Sequence, residues 1–316
     1  MTAIQGFLLG ILQGIAEFLP ISSSGHLKVA QHLFGLGDVP LIFDVLLHIA
    51  TLAAVVIYFR KVIGKLFAVL FRMILRRAEP AQPFNINSVK KIDTKIETLA
   101  PNDEIGRKTI LMIIVTTLIT GVLGIASSKL IPELPLKFVA AGFIATALFL
   151  VVSAFISKKK HGDLEPVTDM KDDFYSVQEN SITLKQAVVI GIAQGIGTLP
   201  GISRSGATIA GAQLCGVNRQ TAGDYSFIVS IPAILGAFVL TLKDAFEEAG
   251  ALGTSVLEMF NKTVGLVPAA IGFAAAFVFG YIALALLMKI INKGKLEWFA
   301  VYLVPLGILG LIFFEC

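Results

Sequence analysis

A chain of 316 residues that is 55% hydrophobic and only 15% charged, with a mean hydropathy of +0.81, has too little polar surface to clothe a soluble globule of its size. Its formal charge of +4 is modest and its cations cluster beside apolar runs, which reads as membrane topology and argues against nucleic-acid binding. Two isolated thiols, Cys215 and Cys316, argue against a disulfide framework or a cysteine metal cluster.

The first element predicted is interrupted: Pro20 divides an apolar stretch into half-helices Thr2–Leu19 and Ser22–Phe34. The N-terminus lacks the basic segment and cleavage site of a secretory signal, so Met1 onward is expected in the mature chain. A span follows at Leu41–Phe59, then an amphipathic interfacial helix at Val62–Leu75 and a polar insertion over Ala78–Gly106. Further spans are predicted at Thr109–Ala126 and Phe138–Ser157, and a polar connection occupies 158–182. The second half opens on another broken pair, Leu184–Leu199 and Ser203–Cys215, interrupted by Pro200-Gly201. Spans at Thr221–Leu242, Val264–Met288 and Leu296–Phe314 complete the chain. A half-helix of about 13 residues rises about 20 Å, short of a hydrocarbon core of roughly 30 Å. Each broken pair is therefore expected to enter and leave the membrane on one side.

The two broken pairs are copies. Gly10–Gly25, GILQGIAEFLPISSSG, returns without a gap as Gly191–Gly206, GIAQGIGTLPGISRSG, at an offset of 181. Cations crowd the connections after the first, third and fifth spans, whereas Asp244–Lys262 is acidic. The former are expected in the cytoplasm and the latter outside, with both termini outside. The copies are then inverted relative to each other. The predicted architecture is an all-α integral membrane domain of six transmembrane helices plus two re-entrant helix-break-helix pairs, with repeats at 1–157 and 183–316.

Chemistry concentrates at the breaks. Ser22-Ser23-Ser24-Gly25-His26 opens a helix after Pro20, and Ser203-Arg204-Ser205-Gly206 repeats the arrangement with a guanidinium added. Unpaired helix N–H groups, hydroxyls and an arginine fork suit a phosphate, and two facing copies suit a diphosphate. Gly25 leaves room for close approach of a ligand, and Gly206, its copy, belongs to the same candidate substrate-binding arrangement. The competing reading is that the serines only cap membrane helices. Glu17 shares a helix face with Gln13, and a carboxylate in an apolar segment reads as a site. It is a candidate general base or a ligand, with Gln13, for a hard divalent cation, with a capped structural carboxylate as the alternative. Gln13 and Gln194 also suit plain helix glue. His26 can donate to a leaving phosphate, accept a serine proton or act as nucleophile itself. Asp44, His48 and Asp224 are candidates for support of the site, with metal coordination also open to Asp44 and Asp224, or for structural pairing between helices, and His32 and His161 read as peripheral. Small-residue pairs Gly121-x-x-Gly124 and Ala269-x-x-Gly272 permit tight packing within or between chains, so a homodimer is open.

At these residues the chain resembles the bacterial undecaprenyl-diphosphate phosphatase family, the bacitracin-resistance type of membrane lipid phosphatase. The resemblance rests on Gln13 to Glu17, on Ser22 to His26 and on Pro200 to Thr208, with order and hydropathy agreeing over nearly the whole chain. It implies removal of the terminal phosphate from C55 isoprenyl diphosphate, recycling the carrier lipid for cell-wall polymers. It also implies a divalent cation, Mg or Ca, and a site open to the outer face of the bacterial cytoplasmic membrane. Ser23 is then the family's proposed nucleophile, activated by Glu17 and His26, with Arg204 neutralising the phosphoryl charge. Serine attack, histidine attack and direct attack by water all stay open. A lipid-phosphate flippase using the same anion site is the competing class, because inverted repeats with broken helices also serve alternating access. The soluble-type acid phosphatase superfamily is set aside, because no histidine follows His161.

Overall fold

The computed structural model describes residues 1–36, 39–75, 100–130, 135–161 and 182–314, with side chains described at all of these except 100–105, 129–130 and 159–161. Among the described residues there are twelve α-helices and no strand. They are α1 (Ala3–Phe18), α2 (Ser23–Leu33), α3 (Leu41–Tyr58), α4 (Arg60–Leu75), α5 (Ala100–Leu130) and α6 (Leu136–His161) in the first half. The second half supplies α7 (Leu184–Ile196), α8 (Arg204–Leu214), α9 (Arg219–Ala251), α10 (Val256–Thr263), α11 (Leu266–Asn292) and α12 (Trp298–Phe313).

Five helices, α3, α5, α6, α9 and α11, are long and apolar enough to cross a membrane. The sixth expected span forms α12, which has 16 residues and Pro305 inside it. At about 24 Å it is shorter than the hydrocarbon core. Helix α5 begins at Ala100, inside the stretch expected to be a polar loop, and the rest of that insertion lies outside the described residues, as does most of 158–182. The acidic connection after α9 is helical as well: α9 runs on to Ala251, and Ser255 caps α10 by accepting from the Glu258 amide at 3.1 Å.

Both broken pairs form with their interruptions at the expected prolines. Helix α1 opens on a capping box made by Thr2 and Gln5, and α7 opens on one made by Thr183 and Gln186. These two boxes keep the offset of 181, so the internal copy begins eight residues before Gly10. Helices α2 and α8 have 11 residues each, about 16 Å, and start on the caps Ser22 and Ser203, which accept from the amides of Gly25 at 3.3 Å and Gly206 at 3.0 Å.

The halves interlock. Helix α1 packs most extensively on α11, α7 packs on α5, α3 contacts α9, and α6 lies against α12. A stripe of glycines makes the first of these contacts possible: Gly6, Gly10 and Gly14 face Pro268, Gly272 and the Ala276–Gly280 turn so closely that a Cβ on Gly10 would stand 2.2 Å from the Gly272 carbonyl oxygen. Gly272 therefore packs within the chain, whereas Gly121 has no neighbour within 4 Å of where its Cβ would be. Gly10→Ala is accordingly expected to cost about 1–3 kcal/mol or more by overpacking, with Gly121→Ala near neutral, as read by thermal unfolding in detergent. Equal stability of the two variants would refute the contact.

The amphipathic helix expected at Val62–Leu75 forms as α4, with Leu66 and Val69 buried beside Ile110 and Ile228 and with Phe67, Phe71 and Ile74 on its open side. Large apolar side chains such as Leu118, Val122, Val239 and Val301 are mostly exposed on the outer helices. That inverts the water-soluble pattern and suits contact with lipid.

Candidate active site

The two breaks meet. Built onto Gly25 of the first, a Cβ would stand 3.1 Å from the Gly201 Cα of the second, and built onto Gly206 it would stand 3.1 Å from the Pro20 Cβ of the first. The room left by Gly25 is also taken by the Phe143 ring. Both glycines therefore sit at the junction of the breaks.

At this junction Glu17, the last-turn carboxylate of α1, is nearly inaccessible. Its Oε2 accepts from Gln13 Nε2 at 2.9 Å and from Ser23 Oγ at 2.6 Å, and His48 Nε2 lies 3.4 Å from the same oxygen. Its Oε1 pairs with the Arg204 guanidinium. Helix periodicity puts Gln13 one turn before Glu17, and the break after Phe18 turns the chain back so that Ser23, at the start of α2, reaches the same carboxylate. Ser23 and Arg204 occupy equivalent positions in the two copies and approach opposite oxygens of Glu17. The buried charge is thus paired and hydrogen-bonded, as a low-dielectric setting demands.

His48 was expected to support the site from α3, and it touches Glu17 directly. Its Nδ1 donates to the Asp44 carbonyl at 2.7 Å, while the Asp44 carboxylate takes Gln31 Nε2 of α2 at 2.7 Å. Asp44 therefore ties α2 to α3 behind the site. Gln194, the copy of Gln13, is turned away from Glu17 and donates to Thr120 of α5 at 3.0 Å, joining α7 to α5. Asp224 lies beside Tyr58 of α3. Ser205 pairs with Ser203 Oγ at 3.2 Å, and Ser24 is exposed, with its hydroxyl 3.5 Å from that of Ser22.

His26 is not placed against Ser23. Its Nδ1 donates to the Ser22 carbonyl at 2.8 Å and its Nε2 bonds the Tyr302 hydroxyl of α12 at 2.8 Å, with the two rings stacked. Ser22 itself has φ 70°, the only positive φ on a non-glycine residue among the described residues. Such a conformation costs about 1–3 kcal/mol and persists only where neighbours hold it. In the second copy the equivalent serine, Ser203, is relaxed at φ −75°, and the left-handed turn falls on Gly201, which bears it without penalty.

A narrow cleft leads away from the Glu17–Arg204 pair. Its lining includes the polar Ser205, Ser226 and Ser230 and the apolar Phe18, Val55, Phe227 and Ile234. Ser226 and Ser230 were not singled out from the sequence, although their spacing of four on one face of α9 and the following Pro232 were legible signals. Ser226 bonds Thr208 of α8, so the cleft wall is fixed to the second break.

Two donors suit a divalent cation. Gln13 Oε1 is buried without a hydrogen-bond partner, on the amide whose nitrogen donates to Glu17. No group of three or more His, Cys, Asp or Glu side chains converges to form a full cage among the described residues. One carboxylate plus one amide oxygen fits a magnesium-like ion that completes its shell with water and substrate phosphate.

A family model described as bacitracin resistance protein BacA matches residues 6–309. The chain belongs to the BacA family. The undecaprenyl-diphosphatase of Treponema denticola is 39% identical over 98% of this chain and 96% of its own length. Proteins of the same name from Desulforapulum autotrophicum and Carboxydothermus hydrogenoformans are 33% and 34% identical, each over 99% of this chain and over 98% and 97% of their own lengths. With its five spanning helices, this BacA family member is a multi-pass membrane protein.

Proposed function

We propose that this chain hydrolyses undecaprenyl diphosphate to the monophosphate, the reaction named for its relatives. The observation that carries the reading is the 2.6 Å contact between Ser23 Oγ and Glu17 Oε2, with Arg204 on the other carboxylate oxygen. A hydroxyl in hydrogen-bond reach of a carboxylate base, beside a guanidinium, is the arrangement that phosphoryl transfer through serine requires.

Ser23 Oγ attacks the terminal phosphorus while Glu17 takes the serine proton. The O–P bond to Ser23 forms, the bridging P–O bond breaks, and the lipid monophosphate leaves. The proton on Glu17 passes to the departing lipid monophosphate; water then attacks the phosphoserine as Glu17 takes its proton, the Ser23 Oγ–P bond breaks, Glu17 returns that proton to Ser23 Oγ, and inorganic phosphate departs. Before substrate enters, Arg204 is held by Glu17; the incoming phosphate replaces the carboxylate as its partner and frees Glu17 to act as base. A carrier would need Arg204 and the helix N-termini but would leave the Ser23–Glu17 pair without a task, which disfavours the flippase reading. Glu17 and Gln13 Oε1 would hold a Mg or Ca ion, which supplies charge neutralisation at the diphosphate oxygens.

The reciprocal packing of α1 on α11 and α7 on α5 supports two copies of inverted topology with α1–α2 and α7–α8 re-entrant. Under the charge rule the site then faces the outer side of the cytoplasmic membrane.

Purified protein in detergent with Mg is expected to release one phosphate per C55 isoprenyl diphosphate and to stop when the metal is chelated. Ser23→Ala is expected to lose at least about 100-fold in turnover, and mass analysis of trapped enzyme is expected to find phosphate on Ser23. Phosphohistidine would transfer the role to His26, neither adduct would favour direct water attack, and no release by the wild type would remove the enzyme reading.

A further inference from the structure

His26 and its neighbours form a chain of contacts that the hydrolysis chemistry above leaves unexplained. The Ser22 carbonyl can only accept, so the imidazole nitrogen 2.8 Å from it, Nδ1, carries a proton. In the neutral ring Nε2 is then an acceptor, and the Tyr302 hydroxyl, 2.8 Å away, donates to it. The ring is packed as well, by the near-parallel Tyr302 ring at 5.7 Å and the tilted Phe143 ring at 5.0 Å between centroids. The Ser22 carbonyl accepts a second time from the His26 backbone amide at 3.1 Å. The only strained non-glycine residue described is thus gripped by both donors of His26, and Ser23, whose hydroxyl reaches Glu17, follows it directly.

The second copy supplies an internal control. There the residue equivalent to His26 is Ala207, and the serine equivalent to Ser22 is relaxed. That break is held instead by Thr146 of α6, which accepts from the Ser203 amide at 3.0 Å and donates to the Gly142 carbonyl of its own helix at 3.0 Å, with the Gly201 carbonyl at 3.4 Å. Strain and histidine clamp occur together in one copy and are absent together in the other. Helices α6 and α12, which pack on each other, each hold one break: α6 through Thr146, α12 through Tyr302 and His26.

We propose that Tyr302 is a positioning residue of the site: its hydroxyl fixes His26 in the tautomer whose Nδ1–H clamps the Ser22 carbonyl, and this clamp keeps Ser23 on Glu17. Tyr302 is half-exposed at the outer surface of α12, so the clamp is anchored at the lipid-facing side of the fold. The inference rests on the reading of Ser23 as the attacking group, and it assigns His26 to holding the loop and not to proton transfer through Nε2.

The test has one arm that needs no turnover. In ¹⁵N-histidine-labelled wild-type protein in nanodiscs, His26 is expected to show a neutral ring protonated at Nδ1, and Tyr302→Phe is expected to shift its Nε2 resonance. A ring protonated at Nε2, or a resonance that ignores Tyr302→Phe, overturns the proposal whatever the protein hydrolyses. In the kinetic arm, Tyr302→Phe, which keeps the stacked ring, is expected to lower kcat about tenfold with KM within about twofold, the loss of one hydrogen bond read at the reacting serine. Asparagine places its amide donor near Nδ1, and glutamine places its donor near Nε2. His26→Asn is therefore expected to retain about ten times more activity than His26→Gln. Wild-type kcat in Tyr302→Phe, or His26→Asn no better than His26→Gln, overturns the positioning role. Failure of the wild type to release phosphate would count against the hydrolysis reading and leave the tautomer to the spectrum.

Discussion

Arg204→Ala is expected to lower kcat/KM for the diphosphate lipid by about three orders of magnitude, the usual weight of a guanidinium on a transferring phosphoryl group. Lysine at this position is expected to restore little, since a point charge replaces a planar fork. The same change also acts on the resting protein. It removes a partner of a buried carboxylate, a loss that costs about 3–5 kcal/mol when the remaining charge is left uncompensated, though here Ser23, Gln13 and His48 still face Glu17. Arg204→Ala should therefore melt earlier than wild type, and adding Glu17→Gln to it should recover part of that loss. Turnover within tenfold of wild type in Arg204→Ala would refute the phosphate role, and a double variant less stable than the single one would refute the pairing.

Glu17→Gln is expected to reduce kcat by about 10³-fold while KM changes far less. The amide keeps the volume of the side chain and an acceptor for Ser23 but cannot take its proton, so the loss falls on the chemical step. It also leaves Arg204 without its resting partner. If the carboxylate acted mainly to restrain Arg204, Glu17→Gln would tighten phosphate binding with little change in kcat; steady-state kinetics alongside inorganic phosphate inhibition separates the two. Retention of kcat would remove Glu17 as base.

Much of this was legible in the chain because membrane folding writes large signals. The proline breaks, the spans α3, α6 and α11, and the place of Glu17, Ser23 and Arg204 beside the breaks follow from hydropathy, helix periodicity and the repeat, whereas the ion pair of Glu17 with Arg204 does not. What stayed hidden depends on distance in three dimensions. Tyr302 sits in an apolar run with no polar companion to mark it, and only the docking of α12 brings it 2.8 Å from His26. His26 looked reactive because it follows the serines, yet a residue four places after a cap points back at that cap's carbonyl as readily as toward a ligand. Gln13 and Gln194 are identical in sequence and opposite in use, because Glu17 in one copy is Thr198 in the other and leaves the second glutamine nothing charged to bind. The short helix α10 and the long extension of α9 were missed because acidic, amphipathic turns carry no membrane-scale hydropathy.

The glycine seam between α1 and α11 bears on biosynthesis. Helix α1 leaves the ribosome long before α11, so the seam stays open until α11 has been made, whereas α7 finds its partner α5 already in place. Because Glu17 rides on α1, its carboxylate acquires its final seat only once α11 has docked. A truncated translation product ending before α11 can hold Ser23, His26 and Arg204 and still lack the wall that fixes Glu17 among them.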